Sequence, residues 1–118
     1  MIKGIGIDII ELERINDSIK KSDSLAGRVL TKKELERYHN LKSNRRRVEY
    51  LAGRFASKEA CSKALGMGIG ALSFQDIEVL NDEFGAPKIK VAGYEDYSIF
   101  LSISHSKAYA VAQVVIED

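Results

Sequence analysis

A carboxylate stands inside an apolar run near the amino terminus, and it limits what this chain can fold into. Residues 2–10 read IKGIGIDII. The run is short, apolar and β-branched, which predicts a buried strand. A bare carboxylate is costly to bury unless it is paired, hydrogen-bonded or metal-bound, so Asp8 needs a partner. Strand alternation puts Gly4, Gly6 and Asp8 on one face. Glycines beside a carboxylate leave room for the bulky oxygens of a ligand. The competing reading has Asp8 at the strand end, capping a helix that starts near Glu11.

Helices follow, then strands. Leu12, Ile15 and Ile19 are spaced for a short helix over 11–24. Thr31-Lys32-Lys33-Glu34 is a capping box, so a helix is expected from there to about Leu41. Residues 44–65 are rich in helix formers and end at Gly66, a helix-terminating position. Strands are expected over 76–80, 87–92, 97–104 and 109–116, with a turn at 81–85. This order implies an α+β fold with a mainly antiparallel sheet, in a single domain over 1–118.

Charge and cysteine usage remove several function classes. Eighteen basic against seventeen acidic residues leave a net charge of +1, so no global field draws the chain to nucleic acid or membrane. One cysteine, Cys61, excludes an internal disulfide and a multi-cysteine metal site. Two histidines, His39 and His105, argue against a multi-histidine zinc site. The amino terminus lacks a signal-peptide pattern, and no apolar run approaches the roughly 20 residues that span a bilayer. A reduced, cytoplasmic protein is expected.

Three further features carry chemistry. At roughly 100° per residue, Glu59 points along the stripe of Val48, Ala52, Phe55 and Ala56, with Lys63 one turn on. A carboxylate on that stripe is either half of a buried ion pair or part of a site between helix and sheet. His105, in Leu101-Ser102-Ile103-Ser104-His105-Ser106, closes a strand beside hydroxyls, as a packed residue or as a ligand contact. Two carboxylates with room for water suit Mg²⁺, which is normally held by one or two carboxylates plus substrate phosphates. Lys63, Arg54 and His105 would meet a phosphate. That set describes phosphoryl-type transfer, where catalysis is mostly positioning and charge neutralisation. Gly66-Met67-Gly68-Ile69-Gly70 follows a helix, so it reads as a connector and not a dinucleotide fingerprint. Cys61 reads as a packing residue, and Lys42 with Arg45-Arg46-Arg47 as a solvated helix start.

Gly4-Ile5-Gly6-Ile7-Asp8-Ile9-Ile10-Glu11 resembles the opening motif of the holo-[acyl-carrier-protein] synthases, which are phosphopantetheinyl transferases. Arg54-Phe55-Ala56-Ser57-Lys58-Glu59-Ala60-Cys61-Ser62-Lys63-Ala64 resembles their second motif, with its Lys-Glu-Ala core. Leu101-Ser102-Ile103-Ser104-His105 followed by Tyr109-Ala110 resembles the third. The motifs occur in order and span the chain. One departure is Met67-Gly68, where many members have Thr-Gly.

The resemblance implies transfer of 4′-phosphopantetheine from coenzyme A to a serine of apo acyl carrier protein, releasing adenosine 3′,5′-bisphosphate. Asp8 and Glu59 would hold Mg²⁺ against the pyrophosphate; the residues leave open whether Mn²⁺ replaces it. Lys63 would serve the leaving phosphate. The serine proton would go to a carboxylate or a metal-bound water. Coenzyme A would be met by Arg54, Ser62, Lys63, Gly66, Gly85, Pro87, Lys88, His105 and Ser106. The resemblance also implies a homotrimer, in which His105 and the Pro87 loop meet Asp8 and Glu59 of a neighbouring chain. Carrier proteins are strongly acidic, so a local basic face is expected, and Arg14, Lys21 and Arg28 would supply it. A phosphodiesterase that cleaves coenzyme A onto water would need the same carboxylates without that face. A nucleic-acid or protein-binding module would use Arg45–Arg47 and has no evident need for Glu59.

Overall fold

The computed structural model describes residues 1–67 and 72–118. Gly68, Ile69 and Gly70 of the glycine-rich connector lie outside the described residues. The chain runs β1 (Ile2–Glu11), α1 (Leu12–Lys21), α2 (Ser24–Val29), α3 (Lys32–Asn40) and α4 (Asn44–Ala64). A 3₁₀ turn over Phe74–Asp76 leads into β2 (Ile77–Asn81), β3 (Pro87–Val91), β4 (Ser98–His105) and β5 (Tyr109–Glu117). The fold is α+β, as its residue order implies.

Local signals set most boundaries. The capping box starts α3: Thr31 Oγ1 accepts from Glu34 N, and Glu34 Oε1 accepts from Thr31 N at 2.8 Å. Gly66 follows α4 with φ +74, a conformation that costs glycine little, and Met67 N closes onto Ser62 O at 2.9 Å. The segment after Lys21 differs from expectation. It forms a second helix, α2, too short to show a helical period in the sequence.

The strands make two sheets. β1, β5 and β4 are joined in that order, all antiparallel, and β2 and β3 form a separate hairpin. One face of the larger sheet packs on α4. There Ala110, Ala112, Val114 and Ile116 of β5 meet Leu51, Ala52, Ala56 and Ala60 of the helix. The alanines let sheet and helix approach closely.

β1 is not buried on both faces. Ile5, Ile7 and Ile9 are 58–62% exposed, while Gly6 and Ile10 face the core. A single helix layer covers the sheet, so alternate residues of an apolar strand turn outward. The glycines also act differently from expectation. A Cβ at Gly4 would fall inside the Ala64 carbonyl, and one at Gly6 inside the Ala60 carbonyl. The space beside Asp8 is therefore filled by the α4 backbone and not by a ligand.

Candidate active site

β1 and α4 run in opposite senses, with Gly4 against Ala64 and Gly6 against Ala60. Two strand residues advance about 6.8 Å and four helical residues about 6.0 Å. The same step brings Asp8 to the turn of α4 that carries Glu59. Asp8 does not cap α1: the cap position is Glu11, which makes no side-chain cap bond. Its carboxylate instead accepts from Lys63 Nζ at 3.1 Å, and Nζ also donates to Ile7 O at 3.0 Å. Lys63 thus pairs with Asp8 across the helix–strand contact, and not with Glu59 along the helix. Its ammonium stays largely exposed.

Glu59 is half-buried. The helix around it has no single apolar stripe, because Gly53, Arg54, Ser57 and Lys58 are buried as well as Ala52, Ala56 and Ala60. Glu59 sits where that burial is interrupted. Desolvation, then the Asp8 charge, raise its pKa above 4.5, and Lys63 opposes them. A carboxylate that feels another carboxylate in a partly dry setting attracts a cation. Among the described residues no three His, Cys, Asp or Glu side chains gather as metal ligands. Two carboxylates fit Mg²⁺, which completes its shell with water and phosphate oxygens.

A second cluster lies round the helix. Gly53 and Arg54 are 120–140° from Glu59 and about 8–9 Å back along the axis. A Cβ at Gly53 would touch the His105 ring, whose Nε2 donates to Glu49 O at 3.1 Å. Arg54 is buried. It lies 4.1 Å from the Tyr50 ring centroid, and its Nη2 donates to Asn81 Oδ1 at 3.2 Å and Val79 O at 3.4 Å. Desolvation lowers its pKa. A cavity of about 170 Å³ opens here, lined by Arg37, Arg46, Tyr50, Arg54, Asn81 and His105. Glu49 also lines it, paired with Arg45 at 3.1 Å, which leaves three guanidinium groups and an imidazole for an anion of phosphate size.

The other expected contacts fall into place unevenly. Pro87 opposes Asn81 across the β2–β3 hairpin, so the hairpin end belongs to the second cluster. Lys88 is exposed, 3.9 Å from Asp82, and Gly85 lies in the turn between them. Ser106 builds its own turn, with Oγ accepting from Tyr109 N at 2.9 Å. Ser62 is buried, and its hydroxyl has no partner among the described residues. Arg14 and Lys21 on α1 and Arg28 on α2 are exposed.

Sequence reasoning missed several residues. Asn81 and Tyr50, which hold Arg54, carry no motif. Arg45 is more than a solvated charge: it donates to Ser106 O and Lys107 O at 3.2 Å and so fixes the turn after His105. Arg47 does the same for the end of α3, donating to Leu41 O at 2.8 Å. Cys61 is buried, and burial pushes its thiol up to about 11.

Comparison with known proteins gives concordant results. The 4′-phosphopantetheinyl transferase superfamily matches residues 4–114. A holo-[acyl-carrier-protein] synthase of Oceanobacillus iheyensis is 56% identical, over 99% of this chain and 98% of that relative. The Bacillus anthracis holo-(acyl-carrier-protein) synthase was solved in complex with coenzyme A (3′,5′-ADP). It superposes with a TM-score of 0.89 at 50% identity, over 98% of this chain and 96% of that one. The Helicobacter pylori synthase, solved in complex with coenzyme A, superposes with a TM-score of 0.84 at 37% identity, over 96% and 99%.

Proposed function

The chain belongs to the 4′-phosphopantetheinyl transferase superfamily, and from that membership we propose how its two clusters divide the reaction. The protein is a transferase that moves 4′-phosphopantetheine from coenzyme A to a serine of apo acyl carrier protein. Asp8 and Glu59 would hold Mg²⁺, on the side that receives the pyrophosphate. When bound, the metal would neutralise phosphate charge and polarise the phosphorus–oxygen bond. The serine proton passes to a carboxylate oxygen of the Asp8–Glu59 pair or to water beside it. The serine oxygen attacks the phosphorus that carries pantetheine, and the bond to the adenosine-bearing phosphate breaks. Lys63 leaves Asp8 and donates to the departing phosphate oxygen, which its exposed side chain permits.

Arg54, His105, the Pro87–Lys88 end of the hairpin and the Ser106 turn take the nucleotide and its 3′-phosphate. Ser62 and Gly66 shape the end of α4 on the coenzyme side. The observation that carries this reading is the separation of the clusters on one chain. Asp8, Glu59 and Lys63 lie on one side of α4, and Arg54 and His105 on another. Each chain supplies half of two different sites, so a complete site forms between copies.

The uncovered sheet face supports the same assembly. By register, Ile5 lies opposite Val115, whose other neighbour is Phe100, and Ile9 lies opposite Val111. Ile5, Ile7, Ile9 and Phe100 are each more than half exposed. Gln113 and Ser102 lie across from Ile7, so the face is apolar with a polar row; such an exposed face marks a contact surface, and its occupant here is further copies of the same chain, arranged as a homotrimer. The setting is cytoplasmic, in keeping with a lone reduced cysteine.

Mixing subunits tests the division. Asp8→Ala and His105→Ala chains are each expected to leave apo carrier at its original mass. Co-refolded, they should restore phosphopantetheine addition, because some interfaces pair an intact Asp8 with an intact His105. No gain of carrier mass, with subunit exchange verified by native mass spectrometry, would overturn the shared site.

Carrier docking falls to Arg14 and Lys21, which share a face of α1 at a seven-residue interval, with Arg28 beyond them. Arg14→Glu should raise the KM for carrier about fivefold at low salt, as for loss and reversal of one exposed charge contact. It should also flatten the salt dependence of that KM. An unchanged dependence on carrier concentration would remove Arg14 from the docking face.

A further inference from the structure

Lys58 stands next to Glu59 in the second motif, yet it faces the interior. Its side chain is fully buried together with that of Glu34. Nζ donates to Glu34 Oε1 at 2.6 Å, to Val29 O at 2.6 Å and to Phe74 O at 3.1 Å. An ammonium has three donors, and all three are used. Glu34 is equally occupied: Oε1 also accepts from Thr31 N at 2.8 Å, and Oε2 accepts from Val79 N at 2.7 Å. One ion pair thus joins the end of α2, the start of α3, α4, the 3₁₀ turn and β2.

Val79 extends the connection. Its N–H goes to Glu34, and its carbonyl accepts from Arg54 Nη2. The edge of β2 away from β3 is therefore held by one side chain from α3 and one from α4. The hairpin that bears Pro87 and Lys88 is tied to the same helix that bears Glu59.

We propose that Lys58 and Glu34 form a positioning pair that fixes the rotation and axial setting of α4, so that Glu59 meets Asp8 at the spacing a divalent cation requires. Neither group touches substrate. A buried ion pair contributes little more to stability than apolar packing of the same volume. What it adds is direction, because three convergent bonds on Nζ admit one placement of the helix where packed alanines admit several. Lys58 is one residue from Glu59, so a turn of α4 at Lys58 moves the Glu59 carboxylate by the same angle.

The proposal rests on Asp8 and Glu59 holding the metal, and its test separates the two. Mn²⁺ is the probe, and its binding to the full-length enzyme with saturating coenzyme A is read by electron paramagnetic resonance. Glu59→Gln should abolish the enzyme-bound signal; if the signal persists there, the metal assignment itself fails. Lys58→Met/Glu34→Gln should melt cooperatively yet bind Mn²⁺ at least tenfold more weakly. Lys58→Arg keeps the charge but not the three convergent bonds, and should weaken Mn²⁺ binding at least threefold. Wild-type Mn²⁺ affinity in either folded variant, while Glu59→Gln has lost it, would overturn the positioning role. If the double variant fails to fold, Lys58→Arg decides alone.

Discussion

Glu59→Gln should remove activity and at the same time raise the melting temperature of the metal-free enzyme at neutral pH. The activity half follows from the metal role proposed for Glu59. Metal assistance at a phosphoryl oxygen supplies several kcal/mol, and each 1.36 kcal/mol is tenfold in rate, so a loss on the order of 10³ in kcat/KM is expected. The amide keeps the shape of the side chain but lacks the negative charge that a cation needs.

The stability half follows from the sign of the pKa shift. Desolvation and the Asp8 charge raise the Glu59 pKa in the folded state. A raised carboxylate pKa means the folded protein binds this proton more tightly than the unfolded chain does. Stability from this group is therefore greatest below the ordinary value of 4.5. It falls as pH rises toward the folded-state pKa, and the penalty persists above it. The amide of the variant cannot ionise, so Glu59→Gln escapes the penalty at neutral pH. Its advantage should vanish below about pH 4. Melting curves from pH 4 to 8 without metal check this. A variant less stable than wild type at pH 7.5 would contradict the electrostatic account of the site. Mg²⁺ added to enzyme already saturated with coenzyme A should then stabilise the wild type further and leave the variant unchanged.

The second large effect is steric. Gly6→Ala would place a methyl inside the Ala60 carbonyl oxygen, with Ala60 C at 2.8 Å and Ala64 N at 2.9 Å. All three are backbone atoms of one helix, so none can swing aside. Overpacking in cores typically costs 1–3 kcal/mol, and a backbone-against-backbone clash belongs at or above the top of that range. Against a total of 5–15 kcal/mol for a domain, about 3 kcal/mol is a large fraction. The urea midpoint should drop accordingly. Activity should fall further than the folded fraction, because β1 can relieve the clash only by moving away from α4 and taking Asp8 with it. Gly27→Ala is the matching control: nothing lies within 4 Å of its Cβ position, and in a helix it should stabilise by about 0.5–1 kcal/mol. Equal effects at the two glycines would deny the close contact of β1 and α4.

Much of this was legible without the structure, for local reasons. The capping box and the glycine after α4 act within four residues of themselves, so adjacent residues suffice to read them. Alternation along β1 correctly grouped Gly4, Gly6 and Asp8, whereas the apolar stripe read through Glu59 is absent, because polar residues of α4 are buried on its other sides too. Whatever those residues met across the fold was beyond such reasoning. Read along the chain, the glycines beside Asp8 are room for a ligand; in the fold they are room for a helix. Lys63 reads as a partner of Glu59, one turn away, and pairs with Asp8, 55 residues away.

Propensity, capping and period act between near neighbours, so residue order alone set the sequence and type of the elements and the chemical identity of the groups. Which groups meet was settled by packing across the fold. Seating α4 against β1 put Asp8 beside Lys63 and Glu59, and burying Lys58 against Glu34 joined five segments. Turning Arg54 and His105 to another side of the same helix set them apart from Asp8 and Glu59. Those outcomes depend on contacts between residues tens of positions apart, whose partners are chosen by how the layers stack.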